Sequence, residues 1–298
     1  MGSDNSASLA EPASDDVNST HDRSIGSIIS QTRNLSAEQV ERIAVHQREH
    51  GIRFGEAAVA LGFASSDDVL FALAQQFHYP YASEERRKVS PELAVLNEPF
   101  SRQAESFRAI RSQILMRIFV DSEVSRPALA VVSPDAGDGK TYFAANLAAA
   151  LAQLGGKTLL VDADLRGPRQ HELFQLSNRS GLSGILSGRA ESQVVQQVPG
   201  VPSLFVLPGG PTPPNPVELV ERPAFGLLVR ELTAKFDHVI VDTAALAYGS
   251  DASIIAARCG AALMIARPHV SRVGALKTIL ETMFGPTTRV AGVVINEH

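Results

Sequence analysis

Tryptophan is absent from these 298 residues, cysteine occurs once and tyrosine only four times. A lone Cys259 cannot close an internal disulfide, and no ligand cluster accompanies it, which excludes a disulfide framework and a thiolate metal site. It lies in a helical-looking stretch, DASIIAARCGAA, where it reads as a small buried apolar residue. No run approaches the ~20 apolar residues needed to cross a bilayer. The opening MGSDNSASLAEPASDD is acidic and polar, unlike a secretory signal. The chain is therefore expected to be cytoplasmic and to reach a membrane only through a partner. A basic surplus is missing too: 27 Lys and Arg face 32 Asp and Glu, for a formal net charge of -5. Binding nucleic acid by bulk charge needs the opposite balance, so no nucleic acid is expected as a partner.

What is present suggests two unequal domains. Residues 1–22 are mostly Ser, Asp, Ala and Asn, too poor in large apolar groups to offset the entropy of ordering, and read as a disordered tail. Residues 23–80 contain an internal repeat with an offset of about 29 positions, pairing Ile25 with Phe54, Gly26 with Gly55, Leu35 with Ala64, Ser36 with Ser65, Val40 with Val69, and Gln47 with Gln76. Each copy looks like two short helices. Ser36 with Gln39, and Ser66 ahead of Asp67, Asp68 and Val69, offer N-caps. The segment ending in FGEAAVALGFASSDDVLFALAQQFHYPYA resembles the N-terminal domain of type II secretion and pilus assembly ATPases. That resemblance implies partner docking. Some tandem versions bind cyclic di-GMP through Arg-Leu-Gly openings with longer spacers, which Arg23-Ser24-Ile25-Gly26 and Arg53-Phe54-Gly55 only approximate. A plain helical spacer is the competing reading. Residues 81–98, with the charged SEERRK and Pro91, read as a linker to a domain at 99–298.

In 99–298 the apolar runs ALAVVS (128–133), TLLVDA (158–163), SLFVL (203–207), HVIVD (238–242), ALMIA (262–266) and VAGVVIN (290–296) alternate with helical stretches. Short β-rich runs separated by helices predict an α/β fold: a P-loop NTPase-like, mostly parallel sheet with helices on both faces, beside the small N-terminal all-helical domain. After the first run comes Ser133-Pro134-Asp135-Ala136-Gly137-Asp138-Gly139-Lys140-Thr141 and an Ala/Leu-rich helix. A phosphate-cradling loop needs small residues so that backbone N–H groups can turn inward, a lysine for the outer phosphates and a hydroxyl for magnesium. Gly137, Gly139, Lys140 and Thr141 supply these, with Pro134 where the strict pattern has glycine. LLVDADLRGP then delivers Asp162 and Asp164 at a strand tip, spaced i and i+2 so that both can face one ligand. FDHVIVDT delivers Asp242 in the same way, as a Walker B site requires. Arg166 and Arg267 just past strand ends are candidates for phosphate charge, and Asn296 for an adenine edge.

SPDAGDGKT, LLVDADLRGPRQHELF, GLSGILSGR, LPGGPTPPNPVEL and FDHVIVDTAAL, in this order over roughly 200 residues, resemble the catalytic domain of the bacterial tyrosine kinases of exopolysaccharide chain-length control. The resemblance is to the type that works with a separate membrane partner, a polysaccharide co-polymerase of the inner membrane. It implies ATP and Mg2+ as cofactors. Lys140, Asp162, Asp164 and Asp242 would be catalytic, Asp162 activating the incoming tyrosine hydroxyl. Thr141, Asp164 and Asp242 would hold the metal. Gly137, Asp138, Gly139, Lys140, Thr141, Tyr142, Arg267 and Asn296 would contact the nucleotide. The family's Glu-x-x-Arg-x-x-Arg motif is present as Glu105, Arg108 and Arg111, one charged helix flank that implies a homo-oligomer.

Two features depart from the family. Its terminal tyrosine cluster is not seen before Asn296-Glu297-His298, and the tyrosines are Tyr79, Tyr81, Tyr142 and Tyr248. Tyr142 and Tyr248 read as structural, and Tyr79 and Tyr81 as candidate acceptors. Ala244 and Ala245 replace the proline pair after Asp242-Thr243, which is expected to loosen that loop. Two alternatives to a kinase stay open. One is an ATP-binding oligomeric switch without transfer. The other is a partition-type positioning ATPase, although Ser133 to Ala136 lacks the signature lysine of that group.

Overall fold

The computed structural model describes residues 24–76, 89–119, 126–189, 193–283 and 288–297. The chain divides into two compact units, Met1–Tyr79 and Pro80–His298. The expected tail at 1–22, Arg23, Tyr79, Tyr81 and residues 81–88 of the expected linker lie outside the described residues. Among the described residues no helix is long and apolar enough to cross a membrane.

In the small unit the repeat becomes four helices, α1 (Ile25–Thr32), α2 (Ala37–His50), α3 (Phe54–Ala60) and α4 (Ser66–Gln76). Ser36 caps α2 as expected. Its Oγ accepts from the Gln39 N–H at 3.2 Å, and its own N–H donates to Gln39 Oε1 at 2.9 Å, so two orphan groups of the first turn are satisfied reciprocally. The cap of α4 falls one residue earlier than read from the sequence. Ser65 is the capping residue: its Oγ accepts from the Asp68 N–H at 3.2 Å, and the Asp68 carboxylate receives both the Ser65 N–H and hydroxyl. A carboxylate three residues on completes the box for Ser65 and not for Ser66, and Ser65 is also the repeat partner of Ser36. The core is two small clusters, Ile28, Ile29 and Ala72 in one, Ile43, Ala57 and Ala58 in the other, with Phe54, Leu35 and Ala64 packed against both.

The large unit contains the segments α5 (Ala94–Asn97), α6 (Arg102–Arg117), β1 (Ala128–Val132), α7 (Lys140–Ala152), β2 (Thr158–Asp162), α8 (Gln170–Leu173) and α9 (Leu182–Leu186). These are followed by β3 (Gln196–Gln197), β4 (Leu204–Leu207), α10 (Pro216–Glu221), α11 (Pro223–Lys235), β5 (His238–Asp242), α12 (Asp251–Cys259), β6 (Gly260–Ala266), α13 (Val273–Met283) and β7 (Arg289–Ile295). The seven strands are ordered β3-β4-β2-β5-β1-β6-β7. Every pairing is parallel except β3 with β4. All six expected strands form, and the two-residue β3, too short to leave an apolar pattern, is the addition.

Both faces of the sheet are covered, and the pleat shows it. Leu129 and Val131 of β1 join one buried cluster while Ala128, Ala130 and Val132 join another. Ile240 of β5 likewise opposes Val239 and Val241. Side chains alternate across a strand, so a strand apolar at every position must be buried on both sides. Helix α7 is buried almost all round, which its run of alanines permits because a narrow helix can sit between the sheet and an outer layer. Cys259 is buried, as expected, and burial pushes its thiol well above its ordinary pKa.

That outer layer revises the linker. Residues 89–98 belong to the large unit: Leu93 and Val95 are fully buried against α7. Fully buried Asn146 of α7 accepts from the Val95 N–H at 3.0 Å and donates to the Glu92 carbonyl at 3.0 Å. The Ser90 N–H donates to the Leu173 carbonyl at 2.8 Å. The charge in SEERRK suggested a solvated loop, yet Val89, Leu93, Val95 and Leu96 just after it bury apolar area that holds the segment down.

Candidate nucleotide site

The sheet topology places the site. β1, β2 and β5 are parallel neighbours, so their C-terminal tips converge on one edge, where open α/β sheets bind ligands. The loop after β1 runs from Ser133 to Gly139 and opens directly into α7 at Lys140. Gly137 and Gly139 have φ of +83° and +92°, values at which an L side chain is strained, and these let the loop turn back over the helix start. Asp138 is buried. One of its carboxylate oxygens accepts from the Asp135 N–H at 2.9 Å, and the other has no partner among the described residues. Lys140 is also buried.

Asp162 and Asp242 are register partners across β2 and β5. Both are fully buried, and each has one satisfied and one orphaned oxygen. Asp162 Oδ2 accepts the N–H groups of Arg169 and Gln170 at 2.9 Å each, while Oδ1 has no hydrogen bond among the described residues. Asp242 Oδ2 accepts the Gln170 side-chain amide at 2.9 Å, and among the same residues its Oδ1 is likewise without one. Burial, followed by the charge of Asp242, pushes the Asp162 carboxyl well above the usual range, against the pull of the Gln170 and Arg169 N–H groups. Burial raises Asp242 to about 6, opposed by the Gln170 amide, the Lys140 ammonium and the Thr141 side chain. Two adjacent buried carboxyls, each with one oxygen unpaired among the described residues, offer oxygen donors suited to a cation. This donor set fits Mg2+, which takes oxygen ligands and needs charge to complete it.

Asp164 lies past the end of β2. Its Oδ1 accepts from the N–H groups of Arg166 and Gly167 at 3.2 and 3.1 Å, capping a turn, and its charge still raises both buried acids. Sharing a face with Asp162 was expected from i, i+2 strand geometry, but the strand ends at Asp162 and the two carboxylates have separate hydrogen-bond partners. Arg166 is directed elsewhere: its Nε and Nη2 donate to the Asp251 carboxylate at 2.9 and 3.0 Å, tying the turn to the start of α12.

A cleft of about 540 Å³ opens over the loop, lined by Gly137, Gly139, Lys140, Thr141, Tyr142 and Asn296 on one side and by Pro91, Glu92, Gln103 and Arg169 on the other. Asn296 clamps the loop from the cleft wall: one N–H of its amide donates to the Asp138 carbonyl at 3.0 Å. Arg267 follows β6, whose Ala266 carbonyl accepts the Asn296 N–H, but its exposed side chain does not line the cleft. The Tyr142 hydroxyl accepts from the Gln103 amide, fastening α6 to α7 at the cleft wall. Burial and then the charge of Glu92 raise its pKa. Tyr248 is exposed in a 3-10 turn at Leu246–Tyr248. The loop after Asp242 is not loosened by its alanines. Ala244 and Ala245 are buried, and the N–H groups of Leu246 and Ala247 donate to the Ser133 and Pro134 carbonyls at 3.0 and 2.9 Å, so the phosphate loop itself replaces the rigidity of the prolines.

The Glu-x-x-Arg-x-x-Arg flank lies on α6 with partners inside the chain. Arg108 pairs with Glu105 at 2.7 Å and also donates to the Pro99 carbonyl. Arg111 donates to the Ala150 carbonyl at 2.8 Å, near the C-terminal end of α7 where a cation is favoured. Sequence reasoning missed Gln170, Arg169 and Glu92, and the only cue was their nearness to Asp162 or to the presumed linker.

A family model described as the CobQ/CobB/MinD/ParA nucleotide binding domain matches residues 129–298. The putative tyrosine-protein kinase CapB of Staphylococcus aureus is 34% identical over 218 residues, covering 72% of this chain and 92% of CapB. Tyrosine-protein kinase Wzc of Salmonella typhi is 32% identical over 211 residues, 71% of this chain but 29% of Wzc, so the chain spans less than a third of that relative. Among solved structures, the kinase domain of the Escherichia coli tyrosine kinase Etk aligns with a TM-score of 0.64 and 32% identity, covering 71% of this chain and 81% of that one. With a phosphate loop, two acid-tipped strands and these relatives in agreement, the chain belongs to the CobQ/CobB/MinD/ParA nucleotide-binding family and, within it, to the bacterial tyrosine-protein kinases of which CapB is a member.

Proposed function

We propose that the chain is an ATP-dependent protein-tyrosine kinase whose reaction centre is the Asp162–Asp242 pair beside Lys140 and Thr141. The observation that carries this reading is the pair of in-register carboxylates, each with one buried oxygen left unsatisfied, at the mouth of a glycine-bearing loop. The inward N–H groups of the loop and the Lys140 ammonium bind the phosphates and neutralise charge that grows during transfer. Thr141, Asp242 and Asp164 would hold Mg2+, which when bound supplies electrostatic neutralisation of the triphosphate. Asp162 would accept the proton of an incoming tyrosine hydroxyl as that oxygen bonds the γ-phosphorus and ADP departs.

The proposed acceptor is a tyrosine of a partner chain, the cytoplasmic part of a membrane chain-length determinant for exopolysaccharide, which would hold the kinase at the inner membrane. Glu105, with Arg108 and Arg111 ordered by their internal bonds, forms the proposed contact with a neighbouring subunit. The small unit, through its resemblance to secretion-ATPase N-terminal domains, is proposed as a docking element.

The test is phosphate transfer from γ-labelled ATP to a Glu-Tyr copolymer and to the chain itself, with Lys140→Met as control. Labelled phosphotyrosine made by the wild type and lost in the variant supports the kinase. Tight ATP binding with no phosphotyrosine on either acceptor, nor on the cytoplasmic segment of the membrane partner when that is added, sinks it and leaves the nucleotide-driven oligomeric switch.

A further inference from the structure

The small unit carries a cluster that the kinase chemistry does not use. His46, Glu49 and His50 occupy positions i, i+3 and i+4 of α2, so they share one face of the helix. One ligand atom from each lies within 4.8 Å of the others. The two imidazole rings stack with centroids 4.0 Å apart. Side chains four apart on a helix have this proximity by construction, but what they offer here is specific. The His50 Nδ1 faces the His46 carbonyl oxygen at 3.0 Å, a contact an imidazole makes only by donating. Donation from Nδ1 leaves the lone pair on Nε2, the arrangement in which metal-binding histidines are held by a second hydrogen bond.

The surroundings favour a cation. His50 is the last residue of α2, and Gly51 ends the helix in the left-handed conformation, so the cluster lies where the unpaired carbonyls concentrate partial negative charge. His46 and Glu49 also line a surface hollow of about 400 Å³ with Glu38, Glu41 and Arg42, where three carboxylates face one guanidinium. Arg42 lies over the Phe63 ring, 5.1 Å from its centroid, and the nearby Arg48 donates its Nε to the Ala44 carbonyl at 3.2 Å. Glu49 and His50 are exposed and His46 half-buried, so small rotamer changes can close the donors to the ~3.4 Å separations that ~2.1 Å metal bonds require.

We propose that His46, Glu49 and His50 bind a divalent ion of the Zn2+ class, with water completing the coordination. Two imidazoles and one carboxylate suit Zn2+, and Ni2+ or Cu2+ by the same donor preference, whereas Mg2+ and Ca2+ select oxygen donors. The ion clips the last turn of α2 by joining residues one turn apart, and it is distinct in chemistry from the cation of the nucleotide site.

The experiment titrates tag-free, nucleotide-free full chain with Zn2+ against a chromophoric chelator, using the wild type, His50→Gln and the double variant His46→Gln/His50→Gln. The wild type is expected to take up one saturable Zn2+ that millimolar Mg2+ does not displace. His50→Gln should weaken it at least tenfold, and the double variant should abolish it while circular dichroism stays unchanged. Zn2+ should also raise the melting temperature of the wild type and not that of the double variant. Equal stoichiometry and affinity in all three proteins would assign the ion to other residues and overturn the proposal, as would failure of the wild type to take up Zn2+ saturably.

Discussion

Gln170 donates its side-chain amide to Asp242 across 2.9 Å, joining two fully buried residues that are 72 positions apart in sequence. The same amide nitrogen donates to the Thr141 carbonyl at 3.0 Å, and the Gln170 backbone N–H holds Asp162. One short helix, α8, thus positions both acids and the first turn of α7. Gln170→Ala should remove the donor that favours ionised Asp242 and slow phosphate transfer at neutral pH by about ten- to a hundredfold, the ~1.5–3 kcal/mol of a hydrogen bond to a charged group. Gln170→Glu should be slower still, because it adds a third carboxyl to the cluster. Initial rates with matched circular dichroism check this.

The raised carboxyl pKa values set a pH dependence. Asp242 titrates at about 6 in the folded chain against an ordinary 3.8. Between those values the folded chain holds a proton that the unfolded chain has released, so stability is greatest at the acidic end and falls as pH rises to about 6. Asp162 is shifted in the same direction. Nucleotide-free protein should therefore be less stable at pH 7.5 than at pH 5 by about 1 kcal/mol from Asp242, with Asp162 acting in the same direction. Asp242→Asn should recover much of that at pH 7.5 while abolishing transfer. Urea denaturation at the two pH values is the measurement, and saturating Mg2+ with nucleotide should reverse the trend.

Gly139 has φ +92°, and a Cβ there would collide with the Asn296 amide. Gly139→Ala should thus weaken nucleotide binding at least tenfold, since the strained conformation costs ~1–2 kcal/mol and the clash adds to it. Combining it with Asn296→Ala should relieve the clash but not the strain, recovering part of the affinity. Binding of a fluorescent ATP analogue to the two variants checks the order.

Asn146 joins α7 to the segment before α6 through Val95 and Glu92, and its amide also donates to the Tyr142 carbonyl at 3.0 Å. Asn146→Leu should leave the buried Val95 N–H unpaired and cost about 2–4 kcal/mol, read as a lower urea midpoint.

Much of the fold and of the site was legible because both rest on repetitive patterns. Asp162 and Asp242 each end an apolar strand, and the order of a parallel sheet brings such tips together. Gly139, Lys140 and Thr141 announce themselves by spacing. Gln170 did not, since a glutamine acts here only through partners that the fold supplies. Asn296 lines the cleft as its place at a strand end suggests, but its bond to the Asp138 carbonyl is one that no local pattern encodes. The cap at Ser65 and the place of residues 89–98 are hidden by nearby charge, which masks the apolar or carboxylate partner a few residues on that decides each.

Leu93, Val95 and Leu96 have a practical bearing on where the catalytic unit can be cut. A shortened protein beginning at Pro99 would strip these side chains from α7, wet an alanine-rich wall and leave the Asn146 amide without its Val95 and Glu92 partners. Such a fragment should self-associate, and autonomous folding demands a boundary upstream of Val89.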